Sequence, residues 1–163
     1  MNKINNVNGL LWNILLSLAW VAVTGTFSIA NLLLGFVIGF AVLFLVRSIA
    51  GIPNYFIEVR KVLGLAAYLL WELIIASLRV GWDIIRPQFH MRPGIIAIAL
   101  DAQTDAEITL LGNMITLTPG TMTLDVSSDR KVLYIHTLYL DDPAQVAEGV
   151  KGGFERRLLD ILR

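Results

Sequence analysis

From Ile4 to Val46 the chain carries no Asp, Glu, Lys, Arg or His, and Leu, Val, Ile, Phe, Ala and Trp dominate the run. As helix, at about 1.5 Å per residue, it crosses a hydrocarbon core of about 30 Å twice and hardly more. The first span reads from Leu10 to Val23, Thr24-Gly25-Thr26-Phe27-Ser28 breaks it, and Asn31 is placed to cap a second span, Leu32 to Val46. So short a break allows only an antiparallel hairpin. A second apolar run directly behind the first argues against a cleaved leader. Gly35 and Gly39 form a small-xxx-small pair, read either as a close-approach face or as ordinary membrane glycine. Trp12 and Trp20 suit interfacial or packing roles.

The next stretch, Glu58 to Arg86, is proline-free and reads as one long helix. Lys61, Tyr68, Glu72, Arg79, Asp83 and Arg86 fall within a wedge of about 60°, with Val62, Ala66, Leu69, Leu70, Leu73, Ile74, Leu78, Val80 and Ile84 on the opposite side. Arg79 with Asp83, and Asp83 with Arg86, are spaced to pair along the wedge. Two geometries fit. A spanning helix turns its polar seam to a partner and puts Glu72 near mid-bilayer, where a carboxylate is a functional-site candidate for a proton or cation relay. An in-plane helix lies apolar face down, seam in water. The in-plane form is favoured because it keeps Arg47, Arg60 and Lys61 on one side with the tail. Lys3 lies before the hairpin, those three lie after it, and the turn between the spans has no basic residue, so both ends face the cytoplasm.

Beyond residue 88 the periodicity changes. Arg92-Pro93-Gly94 turns into Ile95–Leu100, an apolar run expected to be a buried strand. Thr104-Asp105-Ala106-Glu107 has capping-box form and opens a helix with Ile108, Leu111 and Ile115 on one face. Thr118-Pro119-Gly120-Thr121 fits a type II turn. Thr121–Val126 alternates, Met122, Leu124 and Val126 on one face and Thr121, Thr123 and Asp125 on the other. Ser127-Ser128-Asp129-Arg130 returns the chain into Val132–Leu138. Asp142-Pro143 starts a last helix striped by Val146, Val150, Phe154, Leu158 and Ile161. The expected fold is therefore a membrane α-helical hairpin (1–57), a long amphipathic helix, in-plane or a third span (58–88), and a small α+β cytoplasmic domain of β-α-β-β-α order with a three-stranded sheet (89–163).

Charge sharpens the division. Residues 1–86 hold six basic and three acidic side chains; residues 87–163 hold seven and ten. A mildly acidic tail argues against nucleic-acid binding, and without cysteine there are no disulfides or thiolate sites. His136, with Ser127, Ser128, Asp125 and Asp129 nearby in sequence, suggests a hydrolytic triad only on paper, because no nucleophile elbow or oxyanion segment accompanies it. His90 and His136 are too isolated for a metal site. Gly152-Gly153 interrupts a helix instead of opening one, so it is no phosphate loop. No catalytic residue, cofactor or metal site is expected.

Arg92-Pro93-Gly94-Ile95, then Ile115-Thr116-Leu117-Thr118-Pro119-Gly120-Thr121, then Asp129-Arg130 with Leu133-Tyr134-Ile135-His136, form an ordered motif set. In that set and over nearly its whole length, the chain resembles the E subunit of the Mrp-type (Mnh-type) multisubunit Na+/H+ antiporters of bacteria. The resemblance implies an accessory, assembly or stabilising component of a plasma-membrane complex that exchanges Na+ for H+. Its partners would be other subunits and the bilayer, with no small-molecule substrate of its own. It marks Thr118, Pro119, Gly120, Thr121 and His136 as family-typical. The alternative is a direct part in an ion or proton path through Glu72, with Arg79 and Asp83 beside it as path or partner contacts.

Overall fold

The structure, a computed structural model, describes residues 2–47, 53–85 and 91–163, with side chains except at 2–8 and 53–54. The expectations for Lys3, Arg86 and His90 lie outside these residues. The described chain divides into two units, Met1–Arg60 and Lys61–Arg163.

The first unit contains α1 (Asn2–Thr24), α2 (Ile29–Val46) and the start of α3 (Pro53–Ile85). Ile29–Val46 and Tyr55–Ile85 are long and apolar enough to cross a membrane, and Gly9–Thr24 is a shorter apolar helix. Ser28, not Asn31, caps α2: its hydroxyl accepts the Asn31 N–H at 3.1 Å. The Asn31 amide instead ties the hairpin turn, accepting from the Trp20 indole at 3.0 Å and donating to Thr24 Oγ1 and the Thr26 carbonyl. An amide at the third position of the helix has its side chain free to reach back into the turn, whereas the shorter serine hydroxyl fits the cap.

Gly35 and Gly39 form the face against α1. A Cβ on Gly39 would sit 2.5 Å from Asn13 Oδ1, and one on Gly35 3.0 Å from the Ser17 carbonyl. The pair is thus a close-approach face used within the hairpin. Missing side chains let the backbones close, and buried polar groups then bond across the gap. Ser17 donates in this way to the Leu32 carbonyl of α2 at 2.7 Å, and Asn13 Nδ2 donates to the hydroxyl of Tyr55, near the start of α3, at 3.1 Å.

The second unit holds the remainder of α3, β1 (Gly94–Ala99), α4 (Asp105–Leu117), β2 (Thr121–Val126), β3 (Val132–Thr137), α5 (Pro143–Glu148), a π-helical segment Gly149–Glu155, and α6 (Arg156–Leu162). The sheet is antiparallel, order β1-β3-β2. Ile96, Ile98, Leu133 and Ile135 pack against Leu111, Ile115, Val150, Phe154 and Leu158. This is the expected β-α-β-β-α order, with two local corrections. β1 is not buried on both faces: it is an edge strand whose Ile95 is 62% exposed beside buried Ile96. On β2, Met122 and Leu124 face outward while the threonine face meets α4, Thr123 Oγ1 donating to the Gly112 carbonyl at 3.1 Å. The ladder shifts register between Thr123 and Asp125, which returns Val126 to the core.

The stripe Val146-Val150-Phe154-Leu158 steps by four, so on an ideal α-helix it would drift about 40° per step. The π-helical segment, with its wider i→i+5 turn, keeps it facing the sheet.

The β1–α4 loop is held by two carboxylates. Glu155 Oε1 accepts the Asp101 and Ala102 N–H groups at 2.7 and 2.9 Å, and Glu107 Oε2 those of Gln103 and Thr104 at 2.7 and 3.1 Å. Thr104 completes the expected capping box. Arg163 bonds Glu107 at 3.2 Å, and with the two loop amides this holds the Glu107 carboxyl at about 2. A carboxyl depressed on folding stabilises fully above its ordinary value of 4.5, and that contribution disappears as pH falls towards about 2. Melting of the detergent-solubilised chain across this interval should show the loss, and Glu107→Gln should flatten it.

Candidate functional site

The polar wedge of α3 meets the α+β module of its own unit. At one end Lys61 Nζ donates to the Asp160 carbonyl at 2.7 Å. Further along, the Tyr68 ring lies edge-on to Phe154, centroids 5.3 Å apart, with the Arg157 guanidinium 4.5 Å from its own centroid. Gly153 makes this seat: a Cβ there would collide with the Tyr68 hydroxyl. At the far end the Tyr139 hydroxyl donates to Asp83 Oδ2 at 2.6 Å, and the Arg79 guanidinium stands 5.3 Å from the Tyr139 ring centroid. Asp83 is 7% exposed. A carboxylate so buried needs a donor, and the phenol supplies it.

The expected Arg79–Asp83 pairing is replaced: the ion pairs among the described residues do not include it, and both side chains turn to Tyr139. A ring that offers a hydroxyl to the acid and a π face to the cation serves both at once.

Between these ends lies a cavity of ≈ 260 Å³, bounded by Tyr68, Glu72 and Arg79 on one side and by Thr118-Pro119-Gly120-Thr121, Thr137 and Tyr139 on the other. The fold thus brings together two sets of residues singled out separately from sequence. Glu72 is half-buried and faces the Tyr68 phenol. The turn has the expected form, Gly120 at φ +90° and Thr121 N–H bonded to the Thr118 carbonyl at 3.1 Å. Its hydroxyls are not offered outward. Thr118 Oγ1 donates to the Met114 carbonyl at 3.1 Å and Thr121 Oγ1 to the Ile115 carbonyl at 2.7 Å, satisfying the last carbonyls of α4. The glycine contacts α3 and its partner ring: a Cβ at Gly120 would lie 3.5 Å from Tyr139 and 3.7 Å from Val80.

His136 is apart from this site. It stands on the outer face of β3, opposite Ile95 and Met122, while Thr137 beside it points inward. Ser127 lies beyond the other end of the strand, donating to Asp129 Oδ1 at 2.6 Å and accepting from Val132 N. The four residue steps from Val132 to His136 span about 13 Å of strand, too far for a triad. Sequence reasoning missed Tyr139, Gly153 and Arg157, because single residues in a strand exit and a helix carry no periodic signal. For Gly153 a hint existed, a glycine pair inside an otherwise apolar stripe.

Burial, with the bond to Asp83, pushes the Tyr139 phenol up to about 12. A phenol raised on folding stabilises fully below its ordinary value of 10.0, and that contribution is lost as pH rises towards about 12. Tyr139→Phe should abolish this alkaline loss and cost about 1.5–3 kcal/mol at neutral pH, since the Asp83 carboxylate loses its donor. Denaturant melts and tyrosinate absorbance measure both.

The family described as MNHE, Na+/H+ ion antiporter subunit, matches residues 13–161. The E1 subunit of the Na(+)/H(+) antiporter of Staphylococcus haemolyticus (strain JCSC1435) is 35% identical over 152 residues, 93% of this chain and 96% of that protein. The corresponding E subunit of Bacillus subtilis (strain 168) is 30% identical over 154 residues, 94% and 98% respectively. A chain in the solved structure of the membrane-bound sulfane sulfur reductase, an archaeal respiratory membrane complex, superposes with TM-score 0.58 at 27% identity, over 94% of this chain and 98% of that one.

Proposed function

The chain belongs to the MNHE family of Na+/H+ ion antiporter subunits, and on that premise we propose that it is a non-catalytic, assembly-stabilising subunit of a multisubunit Na+/H+ antiporter. It is part of a transporter and not an enzyme. In this reading α1 and α2 anchor it in the plasma membrane, and the α+β module stands on the cytoplasmic side beside larger subunits that carry the ions.

The observation that carries the accessory role is the seam. Asp83, Arg79 and Tyr68 are engaged by the chain's own module, and the turn hydroxyls are spent on α4. These groups are used for holding, which leaves them poorly suited to passing ions. The likeness to a chain of a respiratory reductase complex supports the same reading. One fold, nearly end to end, occurs in complexes named for different chemistries, which supports a part in assembly over a part in either reaction.

The second reading keeps Glu72 on an ion or proton path, and its place at the cavity favours testing it. Glu72→Gln should leave Na+/H+ exchange near the wild-type rate in vesicles containing the assembled complex. Loss of exchange with assembly intact would move Glu72 onto the path. Mild-detergent purification from native membranes should bring large multi-pass companions with the chain, and its isolation alone would refute the subunit role.

Orientation has its own test. Arg130 sits in an exposed turn at φ 60°. Trypsin should cut there in inverted vesicles and spare it in right-side-out ones.

A further inference from the structure

On the side of α3 away from the seam, Leu63, Leu70, Leu78 and Ile85 are 63%, 59%, 65% and 78% exposed. The seam is tied to the module at Lys61 through the Asp160 carbonyl, at Leu65, Tyr68 and Leu69 against the core, and at Asp83 through Tyr139. From Lys61 to Asp83 is about 33 Å of helix, as much as a hydrocarbon core of about 30 Å. Ahead of the first tie α3 has only residues 53–60, about 12 Å. No stretch long enough to cross is therefore free of the module. A crossing helix would take the module into lipid along with Arg157, Asp141, Asp142 and Asp160, all of them exposed.

The tryptophans agree. Trp71 and Trp82 are 61% and 57% exposed. Eleven residues apart, they lie within about 20° of each other on one flank between the apolar side and the seam. Tryptophan favours headgroup depth. In a crossing helix Trp71, beside Glu72 at the middle of the tied stretch, would be at the bilayer centre. In a helix lying flat, both rings reach the same headgroup layer.

We propose that residues 61–85 of α3 lie flat in the membrane interface, and that lipid at the acyl–headgroup boundary covers their apolar side. The inference rests on the membrane anchoring proposed above and deepens it. Lipid is the occupant because α2, an apolar helix long enough to span, ends only six residues before α3 begins. The tied module forms the water-facing side, so the helix and module together make a raft with one greasy and one polar surface.

The chain has no cysteine, so single spin labels report cleanly at Leu63→Cys, Leu70→Cys, Leu78→Cys and Ile85→Cys. Each full-length variant is placed in lipid nanodiscs, both in the complex and alone, and its accessibility to oxygen and to a water-soluble nickel chelate is read. The expected result is one shallow, oxygen-accessible depth at all four positions. A profile deepest at Leu70 and shallow at Leu63 and Ile85 would mean a crossing helix and overturn the proposal. Exclusion of both reagents in the complex would put protein on this face and overturn the lipid occupant. Failure of the chain to co-purify with companions leaves the depths measured on the chain alone unaffected, so the two proposals fail separately.

Discussion

An amphipathic helix must have both of its sides answered, and α3 poses the problem in sharp form. One side is too greasy for water, while the other carries a carboxylate, Asp83, that is almost fully buried. A buried carboxylate without a donor is destabilising by more than most single contacts repay. The Tyr139 hydroxyl answers it at 2.6 Å, and the same ring receives Arg79. Much of the second unit follows from that bond. It places the exit of β3 beside α3, with Gly120 of the adjoining turn against Val80 and the ring itself.

The module is shaped to deliver those contacts. Carboxylates from two helices saturate four successive amides of the β1–α4 loop, while its Ala102 is buried and its Leu100 packs against the core. Lys151 bridges Asp101 and Glu155 and donates to the Ala99 carbonyl, and Arg163 ties the last helix to the same loop. With that end fixed, the π-helical turn brings Phe154 to the core and Gly153 under Tyr68. The acidic balance of this half of the chain thus has structural uses: Glu107 and Glu155 hold the loop, and Asp142 caps α5.

The hairpin solves the lipid version of the same problem. Asn13 and Ser17 are buried, and where neighbours are apolar, polar side chains bond to backbone or to one another. Gly35 and Gly39 remove the bulk that would hold α1 and α2 apart. The same chain resembles, over nearly its whole length, antiporter E subunits and a chain of a respiratory reductase complex.

Sequence alone determined the features that depend on neighbours a few residues apart. The uncharged run defined the hairpin, a seven-and-four spacing defined the seam, Thr104 with Glu107 marked the start of α4, and Thr118-Pro119-Gly120-Thr121 marked the turn. Local patterns fix these because backbone geometry repeats over a few residues. Tertiary structure decided what each face meets. β2 alternates perfectly, yet its threonines face α4 and its Met122 lies outside, since α4 offers Gly112 as a close-packed acceptor surface. Likewise, nothing near Asp83 in sequence names Tyr139, fifty-six residues away. Alternation and spacing say that two faces differ; only the folded chain says which donor reaches the buried acid, because that depends on distance in space and not along the chain.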